Sequence, residues 1–132
     1  NTSRGLKVTN VAPLPLKLGR GRVADENAKV TILSKDHEVM QYPNQISEKD
    51  FDGWVQERGL YFPSEWSDDF TPLLSMHDTG EKELKGSLLV AKLGKGYFIY
   101  TGLSFFRELP AGVPGAYRLY TNLLSVGKNK QQ

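Results

Sequence analysis

The stretch from Gly86 to Leu103 constrains the fold more than any other part of the chain. Two apolar, strand-prone runs lie on either side of Gly94-Lys95-Gly96. Glycine enters the φ > 0 region with no Cβ penalty, so this break predicts a hairpin turn between two strands. Both runs are apolar at most consecutive positions instead of alternating with polar residues. That pattern predicts strands covered on both faces, as inside an α/β sheet. The element specifies a piece of fold and no chemistry.

A length of 132 residues suits one domain with a sizeable core. The 39% hydrophobic and 24% charged fractions are ordinary for a soluble protein. No apolar run approaches the roughly 20 residues of a membrane-spanning helix, so no membrane partner is expected. No signal peptide is visible, and the chain opens on Asn1-Thr2-Ser3 without an initiator Met. It therefore reads as processed or as cut from a longer chain. The net charge is only +2, with the basic residues gathered at the ends (Arg4, Lys7, Lys17, Arg20 and Arg22; Lys128 and Lys130). A nucleic-acid surface needs a denser basic stripe, so no nucleic-acid partner is expected. The absence of cysteine excludes disulfides, thiolate metal ligands and a Cys nucleophile.

Read in order, Val11 to Leu16 carries prolines at alternate positions and predicts an extended, irregular segment. Gly19-Arg20-Gly21-Arg22 reads as a turn, because it lacks the strand and helix that frame a phosphate loop. Ala28 to Leu33 is a strand. Ile46 to Trp54 is a short helix, with Ser47 as N-cap, Asp50 completing a near capping box, and Ile46 and Phe51 placed as a hydrophobic staple. Phe70 to Met76 reads as one strand and His77 to Glu83 as an exposed loop. Ser104 to Gly115 is expected to be irregular. Ala116 to Val126 is the terminal amphipathic helix, stopped by Gly127, with Lys128 to Gln132 fraying beyond it.

Four constellations bear on chemistry. The only histidines, His37 and His77, each adjoin an aspartate, Asp36 and Asp78, but their spacing matches no metal motif. Ser104 follows a strand in Gly102-Leu103-Ser104-Phe105-Phe106. The nucleophile elbow needs a small residue where Phe106 stands, and no histidine follows. Glu57 and Glu65 flank an aromatic-rich segment, the composition of a sugar-cleaving site. Trp54, Tyr61, Phe62 and Trp66, set among Gln56, Glu57 and Arg58, either stack on sugar rings or an interface, or close the core under a long connection.

Two longer stretches carry a resemblance. One joins Pro43-Asn44-Gln45-Ile46 to Phe51-Asp52-Gly53-Trp54-Val55-Gln56-Glu57-Arg58-Gly59-Leu60-Tyr61-Phe62-Pro63. The other runs from Lys85 to Ala91 and from Gly94 to Leu119, through Ser104-Phe105-Phe106-Arg107-Glu108-Leu109-Pro110-Ala111-Gly112. Together they resemble the C-terminal, class I glutamine amidotransferase-like region of bacterial LmbE-like (PIG-L) N-acetylglucosaminyl deacetylases. The resemblance spans roughly Val30 to Gly127. It implies a partial amidotransferase-like (flavodoxin-like) α/β sheet and a bacterial parent whose zinc-dependent deacetylase domain precedes this one. The family's His-Pro-Asp-Asp zinc motif is not in this chain, nor are the Cys and His-x-Glu of the amidotransferases.

The expectation is therefore a single domain, 1–132, forming the distal part of a larger protein. It acts as a non-catalytic structural or substrate-positioning unit, without a cofactor of its own. The alternative is a carbohydrate-binding module using the segment from Trp54 to Trp66. Candidate ligand contacts are Trp54, Gln56, Glu57, Arg58, Tyr61, Trp66, Phe105, Phe106 and Arg107. Expected partners are a carbohydrate, the parent's deacetylase domain, and a second copy of the chain paired through an open sheet edge. The compartment stays open, a periplasmic or secreted setting included.

Overall fold

The computed structural model describes residues 14–127. The expectations for Val11 to Pro13 and for a fraying tail at Lys128 to Gln132 lie outside the described residues. Nine short strands and two helices follow in chain order: β1 (Leu16–Lys17), β2 (Gly21–Val23), β3 (Val30–Ile32), β4 (Gly59–Phe62), β5 (Glu65–Trp66), β6 (Phe70–Pro72), β7 (Leu74–Met76), β8 (Leu88–Leu93), β9 (Gly96–Thr101), α1 (Phe105–Glu108) and α2 (Pro114–Leu124). Two single 3-10 turns, Glu38–Met40 and Glu48–Phe51, lie between β3 and β4.

The result is a mixed α/β fold of small antiparallel sheets with few helices. β1 pairs with β5, β2 with β4, and β3 with β7, while β6, β8 and β9 form a three-stranded sheet with β8 in the middle. Every strand pairing among the described residues is antiparallel. Parallel neighbours need crossover connections of a dozen or more residues, and the link from β8 to β9 is far shorter. These two strands pair along their full length from Leu88↔Thr101 to Leu93↔Gly96, and Gly94 turns the chain at φ +56°.

The sheet built on β8 separates two apolar clusters. Leu88 and Val90 face the main core, whereas Leu89 and Ala91 face a smaller one with Leu16 and Phe70. Leu88 to Ala91 are all buried, as the unbroken apolar run requires. Coverage of both strands was expected, but β9 is only half-buried along Tyr97 to Thr101. β9 is an edge strand, so it has one neighbour where β8 has two. Its side chains still alternate, Tyr97 and Ile99 toward the main core and Phe98 and Tyr100 toward the smaller one.

The run from Phe70 to Met76, read as one strand, divides at Leu73. Leu73 donates its N–H to Leu88 O (3.1 Å) and accepts at its carbonyl from Leu33 N (2.8 Å). It is fully buried where two sheets meet, so β6 serves one sheet and β7 the other. The expected helix from Ile46 to Trp54 shortens to the 3-10 turn Glu48–Phe51. Asp50 reaches back to the Ser47 N–H (2.9 Å), and Ile46 and Phe51 both enter the main core. α1 forms where an irregular loop was expected. α2 begins two residues early, with Pro114 at its first turn, where a missing N–H costs nothing.

α2 lies against both 3-10 turns. Gly115 makes this approach possible, since a Cβ there would collide with the Asp50 backbone carbonyl. Asn122 completes the junction. Its Nδ2 donates to Val39 O and Asn44 O, both at 2.7 Å, and its Oδ1 accepts from Asn44 N at 3.0 Å. Arg118 Nε meets Asp50 Oδ1 at 2.8 Å.

Candidate functional site

The nine candidate residues divide into two places. Seven meet where the segment after the second 3-10 turn crosses α1. Trp54 is buried, its indole N–H donating to Asp50 O (2.9 Å), with the rings of Phe51 and Phe105 at 5.3 and 5.9 Å. Glu57 Oε1 accepts from Arg107 Nε at 2.7 Å, and the Arg107 guanidinium lies over the Phe106 ring at 4.9 Å. Thus the Gln-Glu-Arg run and the Phe-Phe-Arg-Glu run, separated by some fifty residues, fold against each other.

Arg58 is the centre of this crossing. It is buried, and its guanidinium forks between two backbone carbonyls. Nε and Nη2 donate to Ala28 O at 3.1 and 2.7 Å, and Nη1 donates to Phe51 O. Its own backbone continues the bracing, with Arg58 N donating to Val23 O (2.9 Å) and Arg58 O accepting from Ser104 N (3.0 Å). Burial lowers the guanidinium's pKa, and the charges of Asp25, Asp52, Glu108 and Glu26 act against that. Arg58 is thus a buried residue whose guanidinium braces the scaffold. Trp54 is likewise part of the main core, where a large ring under a long connection buries the most apolar area.

The short loop between them is held by carboxylates. Val55 N donates to Glu108 Oε1 and Gln56 N to Glu26 Oε2, both at 2.6 Å. Gln56 is exposed and adopts φ +67°, a left-handed conformation that side chains other than glycine seldom take. Glu108 is fully buried, and its Oε2 has no hydrogen-bond partner among the described residues. Burial pushes its carboxyl above the ordinary range, while the Val55 N–H and the Arg58 charge hold it down. Reading the sequence missed Glu108 as a distinct residue. Its only signal was an acid placed between Phe105-Phe106 and Leu109, beside Arg107.

Phe105, Phe106, Leu109, Pro110 and Tyr120 line a shallow apolar cleft of about 430 Å³ beside this crossing. Phe106 is 52% exposed, whereas Phe105 turns inward.

Tyr61 and Trp66 stand apart from that crossing. Tyr61, at φ +58°, accepts at its carbonyl from the Tyr100 hydroxyl (2.8 Å). Burial pushes the Tyr100 phenol up to about 12. Trp66 is half-buried on β5, opposite Leu16, and packs against the smaller cluster. It borders a second groove of about 430 Å³, formed where the segment entering β2, the β4–β5 link and the segment from Lys82 to Lys85 converge. Arg20, Lys82 and Lys85 line this groove together with Glu83 and Ser64, all exposed. The last segment is held by a bridge in which Met76 and Leu84 exchange backbone hydrogen bonds at 3.0 and 2.8 Å.

Of the other chemical candidates, the two histidines and Asp78 make local hydrogen bonds. His37 Nδ1 accepts from Val39 N (3.2 Å). His77 Nδ1 lies 2.8 Å from Asp78 O, and Asp78 caps the amides of Ala24 and Asp25 at 3.0 and 2.9 Å. Ser104 is fully buried. Glu65 is exposed on β5 opposite Lys17, while Glu57 is paired with Arg107. Among the described residues no three His, Asp or Glu side chains gather as a metal site would require. Compared with known proteins, the chain matches no family model, no curated protein and no solved structure.

Proposed function

We propose that this chain is a non-catalytic, carbohydrate-positioning domain of a larger hydrolase of the LmbE-like (PIG-L) kind, with the ligand seated on Trp66. One observation carries the reading: of the two tryptophans, Trp54 is buried in the core, while Trp66 is only half-buried and lines a groove edged by charged side chains. An aromatic face flanked by hydrogen-bonding and charged side chains is the usual way proteins hold a sugar ring. The non-catalytic part is supported by the engagement of Glu57, Glu108, His37 and His77 in bonds that hold loops in place. The family part rests on the two motif stretches, which meet through Glu57 and Arg107. In this reading the domain completes an amidotransferase-like sheet in its parent, beside the deacetylase domain. β9, without a strand partner on its outer side among the described residues, offers the edge for a second copy.

The test uses Trp54→Phe, which leaves Trp66 as the sole tryptophan, excited selectively over the tyrosines. Titration with N-acetylglucosamine tetramer should give a saturable change in emission. Trp66→Ala should lose binding, measured by calorimetry, in a chain that circular dichroism shows still folded at the assay temperature, with a melting temperature lowered by the packing that the ring gives the smaller cluster. Equal affinity in wild type and Trp66→Ala would reject this site. Metal-dependent deacetylation by the isolated chain would reject the non-catalytic reading.

A further inference from the structure

The Trp66 groove is not electrically neutral. Three cations, Arg20, Lys82 and Lys85, line it against one carboxylate, Glu83. Neither of the two ion pairs among the described residues involves any of them; these join Arg107 to Glu57 and Arg118 to Asp50. The cations come from two separate segments brought together by the pairing of β2 with β4 and by the Met76–Leu84 bridge. Like charges lining one groove make its potential positive, which favours an anion seated among them. The groove's volume lies within the range of small-molecule sites, roughly 300–1,000 Å³. Its Trp66 wall is sterically set by Gly86. A Cβ there would fall 2.7 Å from Pro63 O and 3.0 Å from Trp66 Cζ3, so a side chain would displace the ring.

We infer that this groove takes an anionic saccharide, its ring against Trp66 and its acidic group among Arg20, Lys82 and Lys85. The inference rests on the carbohydrate reading above and narrows it to a charge class. Arg20 suits the acidic group because a guanidinium can grip a carboxylate or phosphate with two parallel hydrogen bonds, and the lysines add point charges. Gly19-Arg20-Gly21, expected from sequence as a turn, instead runs into strand β2, which begins at Gly21, and forms one wall of the site.

The test titrates the full chain with four probes: a tetrasaccharide alternating N-acetylglucosamine and glucuronate, its methyl ester, N-acetylglucosamine tetramer, and inorganic phosphate. The acidic tetrasaccharide should bind at least about tenfold more tightly than its ester, equivalent to about 1.4 kcal/mol. That advantage should shrink as salt shortens the screening length below about 8 Å. The triple variant Arg20→Gln/Lys82→Gln/Lys85→Gln, altered only at exposed positions, should melt like the wild type and bind acid and ester alike. Equal binding of acid and ester by the wild type would overturn the charge inference and leave stacking on Trp66 intact. Failure of every saccharide would remove both readings. Phosphate binding as tight as the tetrasaccharide and unchanged in Trp66→Ala would overturn the saccharide and leave a plain anion site.

Discussion

Arg58→Met gives the sharpest test of how the Gln-Glu-Arg run is used by the fold, because a scaffold role and a ligand role predict opposite results. The substitution keeps an unbranched side chain of similar length but removes all three donors. It strands the carbonyls of Ala28 and Phe51, both in buried residues. A hydrogen bond to a charged group contributes about 1.5–3 kcal/mol, and an orphaned buried acceptor costs about 1–3 kcal/mol. Loss of the fork should therefore destabilise the domain by roughly 3–5 kcal/mol, offset in small part because a buried cation no longer has to be desolvated. At about 3–4 °C per kcal/mol for a chain of this size, the melting temperature should fall by roughly 10–20 °C. That is a large share of a typical stability of about 5–15 kcal/mol. Arg58→Lys should recover little of it, since one ammonium cannot span both carbonyls with the geometry of a fork. Urea and thermal denaturation followed by circular dichroism measure the effect. A change below about 1 kcal/mol, or lost saccharide binding at unchanged stability, would refute the scaffold assignment.

Two further outcomes are expected. Gly115→Ala should cost about 3 kcal/mol or more, read as a lowered urea midpoint, because α2 must back away from the Asp50 carbonyl; a midpoint equal to wild type would show that the contact is not close. Glu108 has its pKa raised by burial, so the folded state holds a proton that the unfolded state has already released; its contribution is most favourable below the ordinary value near 4.5 and is lost as pH rises toward the folded value. Glu108→Gln, which keeps an acceptor for Val55 N–H, should thus gain on the wild type as pH climbs from 4 to 7, and urea midpoints that stay parallel across this range would contradict it.

Local chemistry was legible wherever a short segment decides its own conformation. Gly94-Lys95-Gly96 announces a reversal, Ser47 and Asp50 announce a helical start, and the unbroken apolar run at Leu88 to Ala91 announces a strand buried on both faces. Each depends on φ/ψ freedom, capping or periodicity within a few residues. The division at Leu73 was not legible, because seven consecutive residues of Phe70 to Met76 suit one strand or two equally well. Only the competing pull of β3 and β8 on either side of Leu73 makes the break.

The same line separates the two tryptophans. By its residues alone this chain is a cysteine-free, mixed α/β domain, with an aromatic-rich segment from Trp54 to Trp66 that is either core or binding surface. Composition cannot choose, because burial is a property of what packs on a ring and not of the ring. Tertiary structure brings Phe51 and Phe105 onto Trp54 and sets Arg20, Lys82 and Lys85 around the groove beside Trp66. Contacts between segments tens of residues apart depend on the closure of the whole chain, so one ring became core and the other remained within reach of solvent.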